Sequence, residues 1–510
     1  MRCSRTAIET RTPADGKSSS LTPRKLTFTI FNRLNQHKVA QGSLLMFLAM
    51  ILTSGVNFLL MPVWTRLMSP AEYGLFGTIF SYVGLIEAVA ILGLHGALVR
   101  YYHEHADNPF KCHRALHAAL YGILSIGSLI YLAVLVLAYI ILKPDQGGLQ
   151  FWPYVPVALI GSLFSLIITL YRSWCLARQD HVTSVLTSLA SFVFILCVSL
   201  VLVWLFRWGA LGRVAGVSAG ACLTGAWLLA FPLRKALSIR CDWSMLRPML
   251  AFGIPIIPHS FAMMVVAASD RLFLERMTGL GEAGRYTVVY TFTGVMGMLI
   301  QAVNSAWTPR YYAERITETG DQTIRKFNRI WTALFAVLLP LFTWIGPPVC
   351  KLMAGPDYSQ AVYLAVPLSV GVFFMGTYQL AINPIFFAKK SLLVPLVSGI
   401  AAVLSIVLSL LFIPIWGAKA AAYNSVACYA CMTIVAWWLS RAVNPQVGQC
   451  RALFPWFIAT ALIAFCPWVS LGIVQSFTVY SIWLAIVAFA FHQPILSVLK
   501  KAEAGHSSRL

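Results

Sequence analysis

The sequence predicts an all-α polytopic membrane protein of about 14 transmembrane helices, with two parallel six-helix lobes around a central cavity and two additional helices beyond them. Three observations lead there: a composition too apolar for water, basic residues gathered on one side of the predicted bilayer, and an internal repeat. Of 510 residues, 59% are hydrophobic and 11% charged, with a mean hydropathy of +0.76. Soluble domains carry roughly 25% charged residues, so the solvent of this chain is lipid. The net charge of +21 does not point to nucleic acid, because no stretch can form a basic face on a folded soluble domain.

Residues 1–42 are polar, hold eight Lys or Arg, and read as a disordered basic cytoplasmic tail. The apolar run after them is longer than a signal-peptide core and lacks an A-x-A-like cleavage site. Spans need about 20 mostly apolar residues. They are expected near 43–64, 75–98, 115–141, 151–176, 183–206, 211–231 and 251–271, then 284–306, 330–350, 360–383, 391–412, 417–438, 454–473 and 477–499. The least marked division is the short turn at Arg207 and Gly209. The implied organisation is an N-terminal lobe at 43–231, a cytoplasmic linker at 232–250 and a C-terminal lobe at 251–440. Two added helices at 452–499 and a cytoplasmic tail at 500–510 complete it.

Orientation follows from loop charge. With the N-terminus inside, cytoplasmic segments hold 29 of the 38 Lys and Arg and outward loops hold 9, so both termini are expected in the cytoplasm. Trp64, Trp152, Trp174, Trp243 and Trp416 fall near span ends, where amphipathic rings anchor helices.

A gapless shift of 210 residues aligns Arg66 with Arg276, Glu72 with Glu282, Gly74 with Gly284 and Gly84 with Gly294. It also aligns Arg100-Tyr101-Tyr102-x-Glu104 with Arg310-Tyr311-Tyr312-x-Glu314, making eight identities in 39 positions. Each unit holds six spans, an even number, so the repeats run parallel, as in transporters whose two halves rock about a central site.

Ionisable groups at bilayer depth are costly and need a reason. Glu87 lies mid-way along the second span, where 100° per residue places Gly84, Glu87 and His95 on one face. Gly294, Gly297, Gln301, Asn304 and Ser305 form the matching stripe of the eighth span. A water-filled cleft shared by the lobes would account for both stripes; interhelical packing is the alternative, favoured for the glycines alone. Glu87 and Asp270 are the candidate ion-coupling carboxylates. Arg271, Gln301, Asn304, Asn57 and His95 are the candidate substrate ligands. A guanidinium presents a fork of donors to phosphate oxygens; the competing role for Arg271 is a snorkelling helix end paired with Glu275 at i,i+4. Pro62, Pro255 and Pro258 permit bending of the first and seventh spans.

Other clusters carry less. His103, His105, His113 and His117, with Cys112, surround a cytoplasmic loop, but no carboxylate or thiolate spacing completes a metal site. Cys428 and Cys431 sit in an apolar run as packing residues. No Walker A, GxSxG or HExxH motif occurs, and no loop exceeds about 23 residues. The chain is therefore read as a non-enzyme without cofactor or metal.

Leu67-Met-Ser-Pro-Ala-Glu-Tyr-Gly-Leu-Phe, Gly93-Leu94 and Arg100-Tyr-Tyr resemble the Wzx-type polysaccharide-export flippases. So do Phe252-Gly-Ile-Pro-Ile-Ile-Pro-His-Ser, Ser269-Asp-Arg-Leu-Phe-Leu and Gly284-Arg-Tyr. The resemblance covers roughly residues 43–440. It implies the multidrug/oligosaccharidyl-lipid/polysaccharide exporter superfamily, with two six-helix lobes enclosing a V-shaped cavity. The implied task is to carry an undecaprenyl-pyrophosphate-linked oligosaccharide across the bacterial plasma (inner) membrane for O-antigen, capsule or exopolysaccharide synthesis. Membrane lipid, a polysaccharide polymerase and chain-length machinery are the implied partners; nucleic acid is not. The first span lacks the paired Arg and Asp of the lipid II flippase branch and carries Asn57 instead, so no dense cationic cavity is evident. The two added spans lean towards lipid-linked substrates. A cation-coupled multidrug antiporter is the alternative, and an O-antigen polymerase or ligase would need a large outward loop that is absent.

Overall fold

The computed structural model describes residues 58–141, 151–237, 242–317, 320–388, 393–443, 454–464 and 478–491, with Leu52, Gly55, Val56 and Lys390 besides. Asn57, both predicted tails and most of the first predicted span lie outside these residues.

The described chain is helical. It runs α1 (Met61–Leu67), α2 (Pro70–Ala90), α3 (Leu94–Glu104), α4 (Pro109–Gly122), α5 (Ser128–Ile141), α6 (Tyr154–Ala177), α7 (His181–Leu200) and α8 (Gly209–Ala230). After the short α9 (Arg234–Leu237) come α10 (Trp243–Gly253), α11 (Ile257–Thr278), α12 (Leu280–Glu314), α13 (Gly320–Met353), α14 (Ala365–Phe387), α15 (Leu393–Trp416) and α16 (Ala418–Val443). The last two are α17 (Phe454–Ala464) and α18 (Thr478–Phe491). Counting kinked pairs as one, 11 helices among the described residues are long and apolar enough to cross a membrane, and α17 and α18 are shorter apolar helices.

Local sequence explains the boundaries. Ser69-Pro70-Ala71-Glu72 forms a capping box: the Glu72 amide donates to Ser69 Oγ while the Ser69 amide donates to Glu72 Oε2 at 2.8 Å. Asn108 and Asp180 accept from backbone amides at the starts of α4 and α7. The turn between α7 and α8 is tight, with Arg207 at φ +56° and Gly209 at φ +50°. Leu92 and Gly93 also take positive φ, 54° and 65°, and break the second span into α2 and α3. Gly93 suits that break twice over, since a Cβ there would lie 2.5 Å from the Gly253 carbonyl oxygen.

The repeat is built into the helices. Adding 210 to the bounds of α2–α3 gives 280–314, the bounds of α12. The same shift carries α4–α5, α6, α7 with its helical extension to Leu205, and α8 onto α13, α14, α15 and α16 to within a few residues. Arg100 pairs with Glu104 at 2.6 Å and Arg310 with Glu314 at 3.5 Å. Glu72 abuts the hairpin glycine Gly209, and Glu282 abuts Gly417 while accepting from the Ala418 amide at 2.7 Å.

Lipid-embedded helices associate through close packing and hydrogen bonds rather than hydrophobic exclusion. Hence α8 presents Gly216 and Gly220 to the backbone of Ser199 and Ile195 on α7, while Leu132, Leu137 and Ile140 of α5 face outward, each more than half exposed. The two repeats meet on α2 and α12. A Cβ on Gly74 would stand 1.9 Å from the Leu280 carbonyl oxygen, and one on Gly284 would stand 1.8 Å from that of Pro70. Tyr358 OH donates to the Met68 carbonyl at 2.8 Å and the Gly355 amide to Thr65 Oγ1 at 3.1 Å, which ties the repeats together at this same end.

Candidate functional site

One turn inside the Gly74–Gly284 contact lies a cavity of about 190 Å³, walled by helices of both repeats. From α2 come Tyr73, Phe76, Gly77, Phe80 and Ser81; from α8, Arg213; from α11, Met264 and Arg271; from α12, Thr287 and Thr291. Two guanidiniums therefore face one small space from opposite halves of the molecule. Arg213 is only 9% exposed, its guanidinium carbon 4.0 Å from the Trp64 ring centre and 5.2 Å from that of Phe76. Arg271 lies 4.6 Å from the Tyr290 ring centre and donates through Nη2 to the Ala267 carbonyl at 2.7 Å, leaving its buried Nε without a partner. Among the described residues no ion pair involves either guanidinium. Arg271 thus turns back along α11 towards the Ala267 carbonyl. Aromatic faces attract these cations without neutralising them.

Arg271 was legible as a candidate; Arg213 was not. It sits four residues after Gly209, at a predicted span end, where a basic residue reads as a loop charge. The signal that could have found it is an arginine following a tight turn within the glycine-rich run Gly209-Ala-Leu-Gly-Arg-Val-Ala-Gly.

The two polar stripes do not line this cavity. Glu87 Oε1 accepts from Ser162 Oγ of α6 at 2.7 Å, and Ser162 in turn meets the Tyr131 hydroxyl of α5. Gln301 Oε1 accepts from Gln379 Nε2 of α14 at 3.0 Å, and Asn304 accepts from Thr308 one turn along. Gly84 of the first stripe faces Met264 of α11 in the other lobe, while Gln301 and Ser305 of the second are exposed and nothing lies within 4 Å of a Cβ at Gly294. His95 does not continue the Glu87 face, because the break at Leu92 and Gly93 resets the helical register; its Nδ1 is buried without a partner.

Asp270 points away from its neighbour Arg271 into the C-terminal lobe. It is 2% exposed, accepting from Tyr286 OH at 2.8 Å, Ser425 Oγ at 2.7 Å and Asn424 Nδ2 at 3.0 Å. Asn424 also donates to Ser409 Oγ, and Ser269 meets Ser405 at 2.8 Å. Every one of these Asp270 donors is neutral. Cys428 donates to Asn424 Oδ1 at 3.1 Å within the same packing. Around the predicted cytoplasmic loop, His105 stacks on Tyr101, His113 leans on Trp174, and Cys112 donates to the His105 carbonyl.

Two pseudo-symmetric helix sets closing on a pocket with two arginines define a polytopic helical membrane protein. Residues 39–312, over half the chain, match the family described as polysaccharide biosynthesis protein, and the chain belongs to that family. It is 22% identical over 319 residues to the succinoglycan biosynthesis transport protein ExoT of Rhizobium meliloti, a match spanning 61% of each chain. It is also 22% identical over 159 residues to Lsg locus putative protein 1 of Haemophilus influenzae, covering 30% of this chain and 39% of that one. Among solved structures, an inward-facing multidrug resistance MATE family transporter of the MOP superfamily aligns with a TM-score of 0.64 at 14% identity, covering 78% of this chain and 95% of that one. The same family in an outward-facing conformation gives 0.55 at 15% identity, covering 79% and 96%. A MOP superfamily transporter from Pyrococcus furiosus gives 0.60 at 13% identity over 79% and 96%. These structures share the fold; the family match does not favour the drug-antiporter alternative.

Proposed function

We propose that this protein carries a lipid-linked saccharide, bearing a pyrophosphate, from the inner to the outer leaflet of a bacterial plasma membrane for surface polysaccharide synthesis. The observation that carries this reading is the cavity holding Arg213 and Arg271 from opposite repeats. A pyrophosphate crossing a low-dielectric region needs compensating charge, and two guanidiniums can grip it through several charge-assisted hydrogen bonds. The cavity takes the phosphates; the polyprenyl chain and sugars extend outside it. Loop charge sets the Asn108 end in the cytoplasm, so the Gly74–Gly284 contact closes the outward end and access is from within. Alternating access then means parting α2 from α12. Glu87 and Asp270, each held by neutral donors, are the candidate coupling sites, and a polymerase with its chain-length machinery takes the exported product.

Binding of undecaprenyl pyrophosphate and of undecaprenol to the purified protein tests the reading. Arg213→Gln and Arg271→Gln should each weaken the pyrophosphate form about 10- to 100-fold, the range for one charge-assisted bond, and leave the alcohol unchanged. Equal binding of both lipids by all three proteins would remove the anion site.

A further inference from the structure

The two helices beyond the repeats contact α13 at a proline. Pro340 lies inside α13. Proline has no N–H, so the Ala336 carbonyl four residues earlier loses its backbone donor and the turn opens. In hydrocarbon no water replaces that donor, and neighbouring helices must supply one. Here α18 does so: Trp483 Nε1 donates to the Ala336 carbonyl at 2.6 Å, and Tyr480 OH donates to the next carbonyl, Val337, at 3.2 Å. Trp483 is 6% exposed and packs with Val487 and Phe491 over the small side chains of Ala333 and Ala336. Trp456 of α17 backs it, 5.9 Å between ring centres. On the far side of the break, Phe342 meets Phe292 of α12 at 5.4 Å, and Phe292 follows the cavity-lining Thr291.

We infer that α18 is a clamp on the proline break of α13. Trp483 and Tyr480 replace the donor that Pro340 lacks, and by fixing the break they hold the outer half of α13 against the wall helix α12. The C-terminal helix pair is then a working part of the second lobe rather than an appendage on its lipid face. This assignment rests on backbone chemistry and is independent of the substrate.

A double-mutant cycle tests it. Trp483→Phe keeps the ring and deletes the donor; Pro340→Ala restores the N–H that serves Ala336. Trp483→Phe should lower the unfolding midpoint of the purified full-length protein by ~2 °C or more, and should have little effect in the Pro340→Ala background. An equal loss in both backgrounds, or none in the native one, overturns the clamp. If Pro340→Ala fails to accumulate, hydrogen–deuterium exchange of Trp483→Phe decides: faster exchange confined to residues 336–343 supports the clamp, and unchanged exchange there overturns it.

Discussion

Substituting Gly74 by alanine probes the closed end of the cavity with one methyl group. Its Cβ would stand 1.9 Å from the Leu280 carbonyl oxygen and 2.9 Å from the Gly284 amide nitrogen, both backbone atoms that cannot swing aside. Reaching an ordinary contact of 3.4 Å requires α2 and α12 to part by about 1.5 Å. Overpacking of this kind costs ~1–3 kcal/mol, charged here to the closed arrangement, which corresponds to a shift of about 5- to 150-fold in population. The reporter is Ser81→Cys in a cysteine-free background, since Ser81 lines the cavity. Its reaction with a membrane-impermeant maleimide from the outer side should quicken by at least the lower bound in Gly74→Ala. Gly281→Ala is the control, because nothing lies within 4 Å of a Cβ at that position. An unchanged rate in Gly74→Ala at normal abundance, or an equal gain in the control, would refute the reasoning.

Other outcomes follow from the same geometry. Arg271→Lys should impair polysaccharide export at normal protein level, because an ammonium cannot reproduce the guanidinium fork; full export would return Arg271 to a structural role. Glu87→Gln removes a charge while nearly preserving shape, and export should fall without loss of protein; normal export would leave Glu87 a packing group. Asp270→Ala strands three buried donors at a cost of ~1–3 kcal/mol each, so protein abundance itself should drop, whereas Asp270→Asn should be milder; equal abundance of both would contradict the network. Reporters fused after Arg247 and after Gly279 should fall on opposite sides of the membrane.

Much of the architecture was legible because pseudo-symmetry leaves marks at contacts that tolerate few residues. Gly74 and Gly284 match in the repeat because each backbone touches the other's helix. Glu72 and Glu282 match because each abuts a hairpin glycine, and the two Arg-Tyr-Tyr-x-Glu runs match because each makes an i,i+4 ion pair. The site was less legible. Periodicity placed His95 with Glu87 by assuming one continuous helix, which the positive φ values at Leu92 and Gly93 interrupt. Arg213 was obscured by its place beside a turn, where a basic residue reads as a loop charge. The donors around Asp270 lie 16 to 155 residues further along the chain, and the bond from Trp483 to Ala336 spans 147. No local pattern announces such partners, because tertiary packing creates them.

As proposed, this protein moves a lipid-linked pyrophosphate saccharide between leaflets by means of its two-arginine cavity. Reconstitution into liposomes with a saccharide-tagged undecaprenyl pyrophosphate on one leaflet tests it most directly, the transfer being read by an enzyme that removes the tag from the opposite face. Tag loss is expected with the native protein, and a large fall in its rate for the Arg213→Gln/Arg271→Gln double variant. No transfer by the native protein, or undiminished transfer by the double variant, would contradict it.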